Sequence, residues 1–402
     1  MAISLARPRS TLVAACGAHL TQDGLVALQY VLLPIVAQVF SLSYAQVGLL
    51  RAVSNTAMSV LELPAGLLAE RMGERKLLAA GLVGAGVGYL CVAYSNSFYG
   101  VVAGFFIAGS GAAFQHSLAS SVLVRRFEGG ARRKALGTYN ASGDAGKLTF
   151  TAAFSAAVGA GLTWNASITL LAVPCLVFAG VLVWLLRPTS EASSSVSDNG
   201  ATDGARLRGW GIQDLPKFSA LCAMVFFDSV VQAVFLTFLA FIMKAKGASD
   251  GVAGTAVVLA LAGGMVGKFA CGFAAARLGD RATFILVQLF TVIGFLALAL
   301  LDAVAALVVL PLIGLVVQGS TTVSYGSVAD FVKPRYQARG YALIYSFSAG
   351  SAVVGPIALG GLADVSGLNA VLWVLILLTL LTLLFARVLP NKESVRLAEG
   401  AG

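Results

Sequence analysis

Runs of roughly twenty apolar residues recur along nearly the whole chain, the length an α-helix needs to cross a hydrocarbon layer about 30 Å thick. No other feature narrows the fold as much. A membrane barrel would show short segments alternating at every second residue, and that period is missing. Of the 402 residues, 58% are hydrophobic and 11% charged, where a soluble domain carries about a quarter charged residues. The mean hydropathy is +0.88. The chain reads as an all-α polytopic membrane protein with the lipid bilayer as its solvent.

Twelve transmembrane helices can be placed: Leu12–Phe40, Tyr44–Ala69, Leu77–Tyr94, Phe98–Val124, Leu136–Leu162, Ile168–Leu186, Phe218–Met243, Val252–Ala276, Thr283–Leu301, Val304–Phe331, Tyr341–Leu362 and Ala370–Leu389. Pro34, Pro64, Pro174, Pro311 and Pro356 fall inside spans, where neighbouring helices can satisfy the freed carbonyls. Of 27 Lys and Arg, Arg51, Lys147 and Lys268 lie well inside spans and Lys244 and Lys246 share one loop. The rest gather on one side, which the positive-inside rule makes cytoplasmic, with both termini there. The formal charge of +9 is thus a topology signal, and no nucleic-acid partner is expected. The membrane expected is the bacterial cytoplasmic (inner) membrane. Cys16, Cys91, Cys175, Cys222 and Cys271 all sit in apolar helices and read as small core residues. Nothing in the sequence requires a metal or a cofactor.

The apolar signal stops once, between Pro188 and Pro216, in a stretch rich in Ser, Gly and Asp. This divides the chain into residues 1–187, a cytoplasmic linker 188–216 with a short surface-lying piece at Leu207–Ile212, and residues 217–402. The two halves are related. A shift of 206 carries Gly66, Ala69, Arg71, Gly73 and Arg75 onto Gly272, Ala275, Arg277, Gly279 and Arg281, and a shift of 205 carries Asp23 onto Asp228. Two six-helix halves repeated in one orientation are the parallel repeat of one large transporter class.

The turn "GLLAERMGERK", Gly66 to Lys76, resembles the signature between helices two and three of the major facilitator superfamily, and "GFAAARLGDR" repeats it after span eight. The resemblance covers the whole chain and implies two pseudo-symmetric six-helix bundles working by alternating access, as a monomer. It also implies a cytoplasmic gate at Gly66, Glu70, Arg71, Gly73, Arg75, Arg277, Gly279 and Arg281. Glu70 takes the place of the family's latching acid, while Ala276 leaves the second copy without one, so the latch is expected to be one-sided. The alternative is a solvated turn that only sets topology.

An ionisable residue in the membrane interior is a functional candidate by default. Asp23, Arg51, Glu62, Asp144, Lys147, Asp228 and Lys268 qualify, with His19 and His116, the chain's two histidines. Spans three, six, nine and twelve hold none in their interiors, in keeping with the superfamily fold, where every third helix packs outside against lipid. His19 and Asp23 are four apart and share a helix face, a spacing that suits a proton pair. Asp144 and Lys147, three apart, can pair on their own helix; an Asp144–Lys268 contact across the halves is the competing expectation. Asp23, His19, Glu62 and Asp228 are the proton-coupling candidates. Gln22, Arg51, Gln115, His116, Asn140, Asp144, Lys147 and Lys268 are the substrate-cavity candidates. Structural alternatives stand beside them: Asp23 as a carboxylate holding His19, Asp228 as a relic of duplication, and His116 as a core histidine.

His19, Asp23, His116, Asn140, Gly143 and Gly146 also occupy places similar to those of the fosmidomycin-resistance group of drug-efflux transporters. Ser117 departs from the Pro of that group, and Asp144 and Lys147 are additions to its pattern. The resemblance implies proton-coupled antiport exporting a small polar or anionic organic compound. Because span five lacks the Gly-Pro of drug–proton antiporters, proton-coupled uptake of a small organic anion such as a carboxylate stays open. A membrane sensor or intramembrane enzyme is the remaining class. The chain shows neither an H-E-x-x-H zinc motif nor a phosphate-binding glycine loop, so no catalytic residues are expected.

Overall fold

The computed structural model describes residues 8–187, 210–333 and 336–389. The described residues are almost entirely helical. α1 runs Pro8–Val39, α2 Tyr44–Met72, α3 Glu74–Ala93, α4 Phe98–Ala112, α5 His116–Arg126, α6 Gly129–Gly159 and α7 Trp164–Leu185. After the linker follow α8 Leu215–Ala245, α9 Asp250–Leu278, α10 Asp280–Leu300, α11 Ala303–Gly326 and α12 Gln337–Phe385. Each expected span overlaps one of these helices, with two refinements. The fourth span is broken at residues 113–115, so α4 ends and α5 restarts at His116. The last two spans join in α12 through one non-helical residue, Gly367 at φ 78°.

Nine of the described helical segments are long and apolar enough to cross a membrane by length and composition. α2 and α6 fall outside that set because they carry the in-span charges Arg51, Glu62, Asp144 and Lys147. Apolar side chains stand exposed at helical spacing on α7 (Leu170, Val173, Val177, Val181) and on α10 (Leu286, Leu289, Ile293). The second part of α12 does the same with Trp373, Leu377, Leu380 and Leu384. Such stripes suit a lipid solvent, and they fall on three of the helices without in-span charge. α11 adds Val304, Val308 and Leu312, so the exposed set is wider than every third helix. Cys91 is also exposed, on α3, and Cys16 half-buried, which corrects the expectation of five core cysteines; the other three are buried.

The duplicated turn has one backbone in both copies. Gly73 stands at φ 81°, ψ 141° and Gly279 at φ 89°, ψ 156°, a region open essentially to glycine alone. Replacing Gly279 with Ala should therefore cost about 1–3 kcal/mol, read as a lowered thermal midpoint in detergent beside an unchanged Gly130→Ala control, where an added Cβ meets nothing within 4 Å. The next residue in each copy is an acid that opens the following helix. Glu74 pairs with Arg125 at the end of α5, and Asp280 accepts from Ser327 Oγ at 2.9 Å just past α11. Both turns are thus tied within their own bundle.

By contact the chain divides into two compact units, Met1–Gln29 with Val53–Arg208, and Tyr30–Ala52 with Gly209–Gly402. In the first, α3 packs on α4 and α7; in the second, α8 packs on α12, and α9 and α10 on α11. The stretch Tyr30–Ala52 groups with the second unit through named contacts. Tyr44 meets the rings of Phe238 and Phe241 edge-on. Asp364 accepts from the backbone N–H of Tyr44 at 2.6 Å and of Ala45 at 2.9 Å, capping the start of α2. A Cβ on Gly48 would lie 2.1 Å from the carbonyl oxygen of Pro356, so α2 and α12 run nearly backbone to backbone here. Leu207–Gly209 of the expected surface-lying piece are outside the described residues; Ile212 forms an isolated bridge with Val332.

Candidate functional site

The first unit gathers the largest group of sequence-predicted site residues around Asp23 on α1. Asp23 and His19 are both buried. His19 Nδ1 lies 2.7 Å from the carbonyl oxygen of Tyr139 on α6. A carbonyl only accepts, so Nδ1 carries the hydrogen and Nε2 is the ring's variable nitrogen. Nε2 faces Asp23 Oδ2 at 3.3 Å. A bare nitrogen lone pair and a bare carboxylate repel, so this pair shares one proton, on the ring or on the acid.

Two further cations or potential cations surround the same carboxylate. Lys147 Nζ reaches Asp23 Oδ2 at 3.0 Å and Asp144 Oδ1 at 3.3 Å. His116 Nε2 stands 3.6 Å from Asp23 Oδ1, and its ring lies edge-on to that of His19, centroids 5.1 Å apart. Two carboxylates, one ammonium and one shared proton sum to zero, which is how a buried charge group escapes a large desolvation cost. Access comes through the half-exposed side chains of His116 and Lys147.

Local sequence explains why α1 and α6 can meet so closely. A Cβ at Gly143 would lie 2.5 Å from the His19 ring, and one at Gly146 would lie 2.0 Å from the carbonyl oxygen of Leu20. With both positions bare, the imidazole stacks on Tyr139 at a centroid distance of 4.1 Å and reaches its carbonyl. The break after α4 places His116 at the first turn of α5 instead of mid-helix. Gln22 is fully buried beside Asp23, and neither of its amide atoms has a hydrogen-bond partner among the described residues. An unmet buried amide costs about 1–3 kcal/mol, and a polar ligand or water would satisfy it. Gln115 is buried next to His116, and Asn140 is exposed on α6.

The remaining candidates lie elsewhere. Glu62 is half-buried on α2 with no ion-pair partner among the described residues. Arg51, in the second unit, donates to Tyr30 Oη at 2.7 Å and covers its ring. Lys268 is half-buried on α9. Asp228, the repeat of Asp23, is buried in a neutral nest on α8. Gln288 Nε2 donates to its Oδ1 at 2.8 Å, and Gln232 Nε2 and Ser320 Oγ to its Oδ2 at 3.0 and 2.8 Å. Duplication kept the acid and replaced its surroundings, from cations to amides and a hydroxyl. Of the gate motif, Arg277 covers the ring of Phe273 at 4.2 Å and Arg71 is exposed, while the side chain of Glu70 lies outside the described residues.

Sequence reasoning did not pick out Tyr139, Glu74, Asp364 or the nest around Asp228. Gln232 carried a signal, standing four residues after Asp228 on one helix face. The Lys147–Asp23 pair joins two helices far apart in the chain and has no local signature.

Membrane-length helices with an ionic cluster set among them are the architecture of a polytopic membrane protein. The chain belongs to the Major Facilitator Superfamily, whose family profile matches residues 15–227 and 221–402. It is 26% identical over 383 residues to the uncharacterized MFS-type transporter YfnC of Bacillus subtilis (strain 168), spanning 94% of this chain and 92% of that one. Among solved structures it resembles a bacterial homolog of the human lysosomal transporter Spinster in an inward-facing, unoccupied conformation. That match has a TM-score of 0.76 at 17% identity, over 95% of this chain and 97% of the other. The nucleoside transporter NupG, solved as a point mutant, matches with a TM-score of 0.75 at 10% identity, over 94% and 98%. These structural likenesses show the fold. Membership makes the protein a secondary transporter that works in a lipid bilayer on a small-molecule substrate.

Proposed function

We propose that this transporter is proton-coupled and exports a small polar or anionic organic compound from a bacterium by alternating access, as an antiporter in the cytoplasmic membrane. The observation that carries the reading is geometric: His19 Nε2 lies 3.3 Å and Lys147 Nζ 3.0 Å from the same oxygen of the buried Asp23. With Asp23 ionised, it and Lys147, together with Gln22, can hydrogen-bond a polar or anionic compound that enters from the cytoplasm. A proton arriving from the opposite side neutralises Asp23, weakens that hold and releases the compound there, and its departure to the cytoplasm resets the site. Gln22 supplies an unmet donor and acceptor in the same neighbourhood. Residues 1–187 and 217–402 act as the two rocking halves, joined by a cytoplasmic linker, and the working unit is a monomer.

The test uses respiring everted vesicles containing the protein, challenged with phosphonates, carboxylates and cationic drugs while internal acidity is followed. One compound should collapse the acid-inside gradient, and Asp23→Asn should abolish that response. If no compound does so, while whole cells take up a labelled organic anion together with protons, the export reading fails and the protein is an importer.

A further inference from the structure

We propose that His19, Asp23 and His116 form a binding site for one divalent first-row transition cation of the zinc or cobalt kind. Each residue offers one ligand atom, and the three atoms lie within 4.8 Å of one another. Bonds of about 2.0–2.1 Å to a tetrahedral ion set neighbouring ligand atoms about 3.3 Å apart. His19 Nε2 stands 3.3 Å from Asp23 Oδ2 and His116 Nε2 3.6 Å from Oδ1, so each imidazole faces its own oxygen of the carboxylate and a small turn of that group brings one oxygen to both. Two imidazoles and one carboxylate are a donor set these ions favour, and they leave a fourth position open.

The orientation of His19 is that of a metal ligand. Its Nδ1–H is committed to the Tyr139 carbonyl, the outer contact that aims the opposite nitrogen at an ion. Gly143 lies under the ring and Tyr139 stacks on it, so the imidazole is fixed before any ligand arrives. His116 is the accessible member, with a side chain 40% exposed against 6% for His19 and 7% for Asp23.

Lys147 is the competitor from α6. Its ammonium occupies Asp23 Oδ2, yet it holds Asp144 as a second partner on the same helix. It can therefore yield Asp23 without becoming an isolated charge. The balance is explicit: the cation forms bonds to two nitrogens and one oxygen, and the shared His19–Asp23 proton leaves to solvent. One proton is released per cation bound. The cation site draws on the same Asp23 carboxylate as antiport does, but it requires neither transport nor a known substrate.

The experiment takes the full chain with a tag free of histidine, purified in detergent, and titrates it with cobalt(II) while following visible d–d absorption. Calorimetry in two buffers of different ionisation enthalpy counts the protons released. The chain holds two histidines, so a nitrogen-ligated spectrum has one source. Expected is one cobalt per chain, displaced by zinc, with about one proton released. His19→Gln and His116→Gln should each weaken binding at least tenfold, and Lys147→Gln should strengthen it about tenfold. Absence of binding in both the wild type and Lys147→Gln overturns the site. So does cobalt binding that His116→Gln leaves unchanged, or sulfur-to-cobalt bands that place the ion on a cysteine. The unsubstituted chain and Lys147→Gln decide between these outcomes even if a histidine variant fails to fold. A vesicle assay without a hit leaves this result standing, and the reverse also holds.

Discussion

Replacing Gly146 with Val should leave little monodisperse protein after extraction, with a thermal midpoint far below that of the parent. The new Cβ would sit 2.0 Å from the Leu20 carbonyl oxygen and 2.7 Å from its carbon. Both are backbone atoms, so no side-chain rotation relieves the overlap and α1 must move away from α6. Overpacking of this kind costs about 1–3 kcal/mol and occasionally more. Separation of the helices also takes the His19 ring from the Tyr139 carbonyl and stretches Lys147 from Asp23. The summed loss reaches roughly 3 kcal/mol or more, a large share of the 5–15 kcal/mol that holds typical folds together. Gly137 lies on the same helix, and a Cβ there meets nothing within 4 Å. Gly137→Val should therefore behave like the parent. Equal yields and midpoints for the two variants would show that α1 and α6 do not approach as described.

The second large effect concerns charge. Lys147→Gln removes the ammonium that faces both Asp23 Oδ2 and Asp144 Oδ1. Breaking a buried pair from one side costs about 3–5 kcal/mol, and the half-exposed Lys147 side chain reduces that to about 2 kcal/mol. Adding Asp23→Asn removes one of the two carboxylates that faced the ammonium, so the double variant should lose less stability than the two single losses summed, without regaining coupled transport. A thermodynamic cycle over the four proteins should give a coupling of about 1–3 kcal/mol. A coupling below about 0.5 kcal/mol would mean that the two groups do not form an ion pair in the folded protein.

Much of the fold was legible because lipid forces it into sequence. A helix that crosses a bilayer must be predominantly apolar over about twenty residues, and basic residues collect on one side. The break before His116 was not legible, since "GAAFQHSLASS" is uninterrupted by proline and reads as a continuing helix. The site was legible as a set of residues and not as an arrangement. The His19–Asp23 spacing is local and was readable from helical period. The meeting of Asp23 with Lys147 depends on where α6 lands against α1, which Gly143 and Gly146 permit but do not announce. The same holds for Asp228: its position by duplication matched Asp23, while its neutral surroundings come from Gln288 and Ser320 on other helices.

The Asp364 cap on α2 has a consequence for how long the protein rests in one shape. If the sequence halves rock apart where α2 begins, both backbone hydrogen bonds must break together, and Gly48 must leave Pro356. An exposed cap is worth about 1 kcal/mol, so it favours the arrangement in which α2 meets α12 roughly fivefold. A bias of that size is a ratchet tooth and not a lock, shallow enough for thermal motion to cross unaided.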